Sequence, residues 1–212
     1  MAIVLDVPKS ISTLLLILFI LICSEISIVE AQAGRLPQDE ENALREIADQ
    51  LGKKDWNFSI NPCDRNSSWI TPKRDGMPTY NNTLICNCSF PTAGECHVIH
   101  IFLKGQDLAG VLPPSLAKLR YLKSVNLDRN YLSGTIPSEW ASTKLEILSV
   151  SVNRLSGPIP DYLGTITTLK YLVLESNQFY GIVPAELGKL VNLKTFLVLT
   201  ISWESCQQSS MT

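Results

Sequence analysis

Three residue types recur in this chain on one shared period, and that constrains its fold more than any other feature. Gly110, Gly134, Gly157 and Gly181 follow one another at 23 or 24 residues; so do Pro113, Pro137, Pro160 and Pro184, and so do Gln106, Asn130, Asn153 and Asn177. Residues 127–137 read L-x-x-N-x-L-S-G-x-I-P, and residues 103–113, 150–160 and 174–184 repeat the wording with small changes. Composition alone does not hold three letters in fixed phase. A unit of this length cannot bury its apolar face alone, so the units must stack into a solenoid.

The second unit shows the full frame: Leu122, Val125, Leu127, Asn130, Leu132, Gly134, Ile136 and Pro137. The alternation Val125-x-Leu127 predicts a short strand that turns both side chains into the core. Beyond the strand the backbone loses its ladder partners, and a buried polar group left unpaired costs about 1–3 kcal/mol. An Asn amide carries donors and an acceptor, so one Asn per coil can satisfy that turn; Gln106 reaches it only with a longer arm. Glycine suits positive φ or close backbone approach, and proline fixes φ at the exit. These fixed letters are scaffold.

Recognition then falls to the side chains between the leucines, which the same alternation turns outward on the concave surface. They are His100, Phe102 and Lys104, then Ser124, Asn126 and Asp128. Later coils add Ile147, Ser149 and Ser151, then Tyr171, Val173 and Glu175, with Thr195 and Leu197 in a fifth. Phe102, Ile147, Tyr171 and Val173 amid polar neighbours suit a peptide or protein partner, because aromatic side chains are frequent interface anchors.

Residues 1–33 read as a secretory leader. Lys9 gives a thin basic start, residues 11–23 an apolar run, and Ala31-Gln32-Ala33 a small-x-small cleavage site. The run falls short of the roughly 20 residues of a membrane span, which ranks an uncleaved anchor second. Pro37–Leu51 reads as a helix: Pro37 opens it, Asp39, Glu40 and Glu41 fill the first turn, and Gly52 follows the end. Its apolar face of Ala43, Leu44, Ile47, Ala48 and Leu51 would close the first coil. Trp56 and Trp69 are expected beneath the same cap.

Cys63, Cys86, Cys88 and Cys96 form an even cluster, which in a secreted chain reads as two disulfides. Three pairings are open. Cys86 and Cys88 share one face of an extended strand and are poorly placed to bond each other; of the remaining pairings, the reading preferred here is Cys63–Cys86 with Cys88–Cys96. A zinc site on His97 or His100 has the wrong spacing and compartment. Four N-x-S/T sequons, at Asn57, Asn66, Asn81 and Asn87, mark glycosylation sites, of which Asn87 between two cysteines is the weakest.

Of the chain's 18 basic and 20 acidic residues, the leader holds Lys9, Asp6, Glu25 and Glu30, which leaves 17 of each sign in the mature protein. That balance offers no nucleic-acid stripe. The sequence carries no phosphate-cradling loop, no G-x-S-x-G elbow and no kinase signature, so neither catalysis nor a cofactor is expected of these residues.

The repeat wording resembles the plant-specific class of leucine-rich repeats found in receptor-like kinases, receptor-like proteins and secreted polygalacturonase inhibitors. Asn61-Pro62-Cys63, Cys86–Ser89 and Cys96–Pro113 resemble more narrowly the ectodomain start of a plant receptor-kinase subfamily. In that subfamily a malectin-like domain, a membrane helix and a cytoplasmic kinase follow the repeats. The resemblance implies an α/β solenoid: a plant-type leucine-rich repeat horseshoe with a disulfide-bonded, partly helical N-terminal cap. It implies an extracellular, non-catalytic module whose partner is a protein or peptide ligand or a co-receptor ectodomain. The alternatives are a free secreted repeat protein acting as receptor modulator or decoy, and a polygalacturonase-inhibitor-like protein.

The expected division is leader 1–33, cap 34–97, repeats 98–198 with a partial fifth, and an aberrant tail 199–212. In the tail Ile201 stands where the ladder asparagine is due and Ser205 where the glycine is due, and Cys206 is an odd fifth cysteine in the mature chain. These departures are expected if the end of the chain comes from a changed reading frame, a retained intron or a truncated gene of a longer receptor.

Overall fold

The computed structural model describes residues 34–64, 69–71, 82–90 and 94–199. The leader, the sequons at Asn66 and Asn81, and the tail with Ile201, Ser205 and Cys206 lie outside the described residues.

Helix α1, Gln38–Leu51, has Pro37 as its N-cap and Gly52 in the left-handed conformation (φ 75°) at its C-terminal end. The helix therefore starts one residue later than its sequence signals suggest, because Pro37 is extended (ψ 146°) and stands as the cap rather than as the first helical residue. Its apolar face is fully buried at Ala43, Leu44, Ile47 and Leu51. Beneath it Trp56, Phe58 and Trp69 pack edge to face and tilted, with ring centroids 5.1–6.2 Å apart. The buried Trp69 indole satisfies its N–H by donating to the Ile60 carbonyl at 3.0 Å.

Among the described residues the main sheet has seven strands. Strands β1 (Ile70–Thr71), β2 (Asn82–Asn87) and β3 (His97–Phe102) pair antiparallel, with a register shift at Ile85/Cys86. From β3 onward the sheet is parallel: β4 (Ser124–Asn126), β6 (Ile147–Ser149), β8 (Tyr171–Val173) and β10 (Thr195–Leu197). The register Ile101, Val125, Leu148, Leu172, Phe196 makes a continuous core column, and its first four members are at most 1% exposed.

A second parallel sheet joins β5 (Ser133–Gly134), β7 (Arg154–Pro158) and β9 (Gln178–Tyr180). Each coil closes on a five-residue 3-10 helix: Pro114–Lys118, Ser138–Ser142, Asp161–Thr165 and Ala185–Lys189. The recurring prolines Pro113, Pro137, Pro160 and Pro184 are their N-caps.

The asparagines span coils. Asn130 Nδ2 donates to the carbonyls of Leu103 (2.8 Å) and Leu127 (2.9 Å), and its Oδ1 accepts the N–H groups of Gln106 and Leu108. Asn153 and Asn177 repeat this on Leu127 and Val150 of the preceding coils. Gln106 does not extend the pattern. Its Oε1 accepts from Lys53 Nζ at 3.1 Å, so it joins the cap to the first coil instead.

Cap and repeats form one continuous core. Among the described residues Cys63–Cys86 and Cys88–Cys96 are disulfide-bonded, so of the three pairings open to the sequence the structure adopts the preferred one. Glu40, in the first turn of α1, does more than favour the helix dipole. Only 3% exposed, it accepts the Val98 N–H at 3.0 Å and lies 2.6 Å from His97 Nδ1, binding helix to sheet. His97 also packs against Phe90 and Tyr121.

Candidate functional site

Because strands of a parallel sheet turn alternate side chains to opposite faces, two columns flank the buried core column. One runs His100, Ser124, Ile147, Tyr171, Thr195; the other runs Phe102, Asn126, Ser149, Val173, Leu197. A third row continues through Lys104, Asp128, Ser151 and Glu175, tied by hydrogen bonds from Gly105 N to Asp128 O, Arg129 N to Ser151 O and Val152 N to Glu175 O. The structure thus brings together all ten candidate residues His100, Phe102, Lys104, Asn126, Asp128, Ile147, Ser149, Tyr171, Val173 and Glu175.

They are not equally open. Asp128 and Ser149, expected to face solvent, are each only 6% exposed, and Ser124 and Ser151 are buried beside them. The cause is a local network: Ser149 Oγ donates to Asp128 Oδ1 at 2.7 Å, and the Ser151 N–H donates to the same oxygen at 2.8 Å. Lys104 Nζ stands 3.9 Å from the other carboxylate oxygen. These short side chains form the floor of the face rather than its contact surface. A Ser or Asp on a strand carries no sequence mark that separates floor from contact, which is why alternation alone overcounts the open residues.

The exposed positions lie in the later coils, while in the first coil His100 and Phe102 are half-buried. His100 and Phe102 stack at 5.6 Å between ring centroids in the first coil. Tyr171 (38%) and Leu197 (42%) are exposed in the later coils, with Val173 and Glu175 half-buried between them. His100 Nδ1 is buried without a hydrogen-bond partner. Burial first and then the Lys123 charge hold its pKa below the ordinary imidazole value, with Glu146 pulling the other way. Glu40 and Gln106, read from the sequence as a first-turn acid and a ladder amide, instead bond Val98 N–H and Lys53 Nζ, and both are structural rather than ligand-facing.

Of the sequons, Asn57 and Asn87 are described. Each places its side-chain Oδ1 on the N–H two residues on, at Ser59 and Ser89. Among the described residues no cluster of three or more His, Cys, Asp or Glu is placed to hold a metal ion, and no helix is long and apolar enough to cross a membrane.

Comparison with known proteins agrees with this architecture. The Leucine Rich Repeat family matches residues 121–142, 144–166 and 168–190. Two probable leucine-rich repeat receptor-like serine/threonine-protein kinases of Arabidopsis thaliana are similar over most of the chain. One is 44% identical over 138 residues, covering 65% of this chain and 14% of the relative. The other is 43% identical over 169 residues, covering 78% and 16%. The chain therefore spans about one-sixth or less of their length. Among solved structures, the BIR3–SERK2 complex from Arabidopsis thaliana superposes with a TM-score of 0.55 and 29% identity, covering 76% of this chain and 81% of that one. The chain carries leucine-rich repeats and is similar to the repeat-bearing part of plant receptor-like kinases.

Proposed function

We propose that the chain is an extracellular recognition module with no catalysis of its own, taking a protein or peptide partner on the outer face of its parallel sheet. The observation that supports this most directly is the pair of registered columns in which Phe102, Ile147, Tyr171 and Val173 stand above a hydrogen-bonded floor of Asp128, Ser149 and Ser151. A floor locked by its own hydrogen bonds holds the apolar groups in place before a partner arrives, which reduces the ordering cost of binding. The BIR3–SERK2 complex, to which the chain is similar, supports a second protein as one class of partner.

On this reading the chain acts in the apoplast as the amino-terminal ectodomain portion of a receptor-like kinase, with leader 1–33, cap 34–97 and repeats 98–198. Phosphoryl transfer belongs to parts of the relatives outside the matched repeats.

The test uses the secreted chain in a binding screen against co-receptor ectodomains and secreted peptides. Replacing Phe102, Tyr171 and Val173 together by alanine should weaken any partner found by about 2 kcal/mol or more, the scale of interface hot spots, with the melting temperature little changed. Unaltered binding by the triple variant refutes the face.

A further inference from the structure

A second surface lies beside the sheet, at the residues that lead into each parallel strand. Lys123, Glu146, Lys170 and Lys194 hold equivalent places in successive coils. Glu146 N bonds Lys123 O at 2.7 Å, Lys170 N bonds Glu146 O at 2.8 Å, and Lys194 N bonds Lys170 O at 2.7 Å. Adjacent strands are spaced about 4.7–4.9 Å, so these side chains form a close row. Glu146 is committed within it: Lys170 Nζ donates to its carboxylate at 2.6 Å, and Lys123 Nζ stands 3.7 Å from the other oxygen. Those lysines, Lys170 foremost, hold the Glu146 pKa below the ordinary carboxylate value.

Next to this row opens a groove of about 390 Å³. Arg120, Lys123 and Lys144 line it together with the apolar Ile99 and Tyr121, and Glu146 is the acid among its lining residues. With Lys170 and Lys194, the strip gathers five cations against one carboxylate in a chain whose formal net charge is −2. Charge segregated this strongly in a near-neutral protein is the footprint of electrostatic recognition.

We propose that this groove binds an acidic peptide segment, with aspartate or glutamate carboxylates on Arg120, Lys123 and Lys144 and an apolar side chain on Ile99 and Tyr121. The proposal rests on the recognition reading above and names the partner chemistry of a second face, distinct from the Phe102–Tyr171–Val173 columns. A peptide fits better than the two other polyanions of the cell surface. An anionic membrane is too flat to enter a groove, and a polyuronide chain has no apolar side chain for the lining.

The experiment measures binding of the full secreted chain to a labelled octapeptide of Asp and Glu around one Leu. A Lys/Arg peptide of the same design and an oligogalacturonide serve as comparisons. Because the sequon residue Asn87 also lines the groove, the protein is assayed with and without glycosidase treatment. The expected result is binding of the acidic peptide alone, weakening as salt rises. Lys123→Glu with Lys144→Glu should reduce it at least tenfold, whereas Lys189→Glu on the 3-10 helix Ala185–Lys189 should not. Equal binding by the double variant, equal loss in the Lys189 variant, or preference for the oligogalacturonide or the basic peptide overturns the proposal. Failure of the concave-face reading shows separately, in the alanine variant's binding to an ectodomain partner.

Discussion

Gly110 meets Gln50 backbone to backbone. A Cβ on Gly110 would fall 1.9 Å from the Gln50 carbonyl oxygen, and the flanking hydrogen bonds, Gly110 N to Leu51 O and Val111 N to Gln50 O, close the same seam. This is where the last turn of α1 spends its otherwise unpaired carbonyls. The other recurring glycines serve a different need: Gly134, Gly157 and Gly181 all have φ between 83° and 90°. One letter of the repeat thus has two physical causes.

Gly110→Ala should accordingly destabilise by overpacking, about 1–3 kcal/mol, and part cap from repeats. Gly181→Ala meets no atom within 4 Å and should cost only the left-handed backbone strain, about 1–2 kcal/mol. Urea unfolding of the two variants checks this. A further distinction is hydrogen exchange at the α1 amides, which should accelerate in the Gly110 variant and stay as in the parent for Gly181.

Asn130 is the best-connected rung of its ladder, with Nδ2 on three carbonyls and Oδ1 on two N–H groups. Asn130→Ala strands these buried groups and should cost about 2–3 kcal/mol, near the upper end for unsatisfied polar groups. Gln106→Ala removes an amide bonded to Lys53 and to its own neighbour Gly105 and should cost less than about 1 kcal/mol. Denaturant midpoints that shift equally for both would contradict the separate roles given to these two aligned positions.

The contrast between Asn130 and Gln106 also shows what the sequence made legible. The period, the strands, the helix and the asparagine bonds follow from local spacing, because each is repeated and each repeat constrains the next. The 3-10 helices were hidden: P-x-x-L after a turn does not separate a 3-10 turn from an irregular one. So was the second sheet, whose strands at Ser133–Gly134, Arg154–Pro158 and Gln178–Tyr180 carry no strong alternation. Glu40 was read as a helix-start acid, yet its carboxylate holds Val98 across a separation of 58 residues. For the candidate face, alternation supplied the columns. It could not show that Asp128 and Ser149 satisfy one another and sink into the floor.

His100 gives the protein a stability that depends on pH. Burial lowers its folded pKa below the ordinary value of about 6.5, so the unfolded chain takes up this proton first. Its contribution is whole above about pH 6.5 and is lost as pH falls through the folded pKa. His100→Asn removes the titration. The stability difference between parent and variant, measured by urea unfolding from pH 7.5 to pH 4.5, should shift against the parent as pH drops. A difference independent of pH would show that His100 is not desolvated.

Val152 sits at φ 55° with its side chain 40% exposed. Arg129 and Ser176 hold the same left-handed conformation in neighbouring coils, each just before its ladder asparagine. The conformation is therefore set by the repeat and not by the residue. A β-branched side chain tolerates it worst, at about 1–2 kcal/mol of local strain. The backbone N–H of Val152 is committed to Glu175 O at 3.1 Å, so the strain cannot relax without breaking the ladder between coils. Val152→Asn keeps that bond and supplies a residue at ease with positive φ. It should stabilise the protein by about 1 kcal/mol, which for a chain of this size raises the melting temperature by about 2–4 °C. Val152→Ile, equally branched, should give no gain. If Asn and Ile behave alike in thermal unfolding, the strain assigned to Val152 is absent.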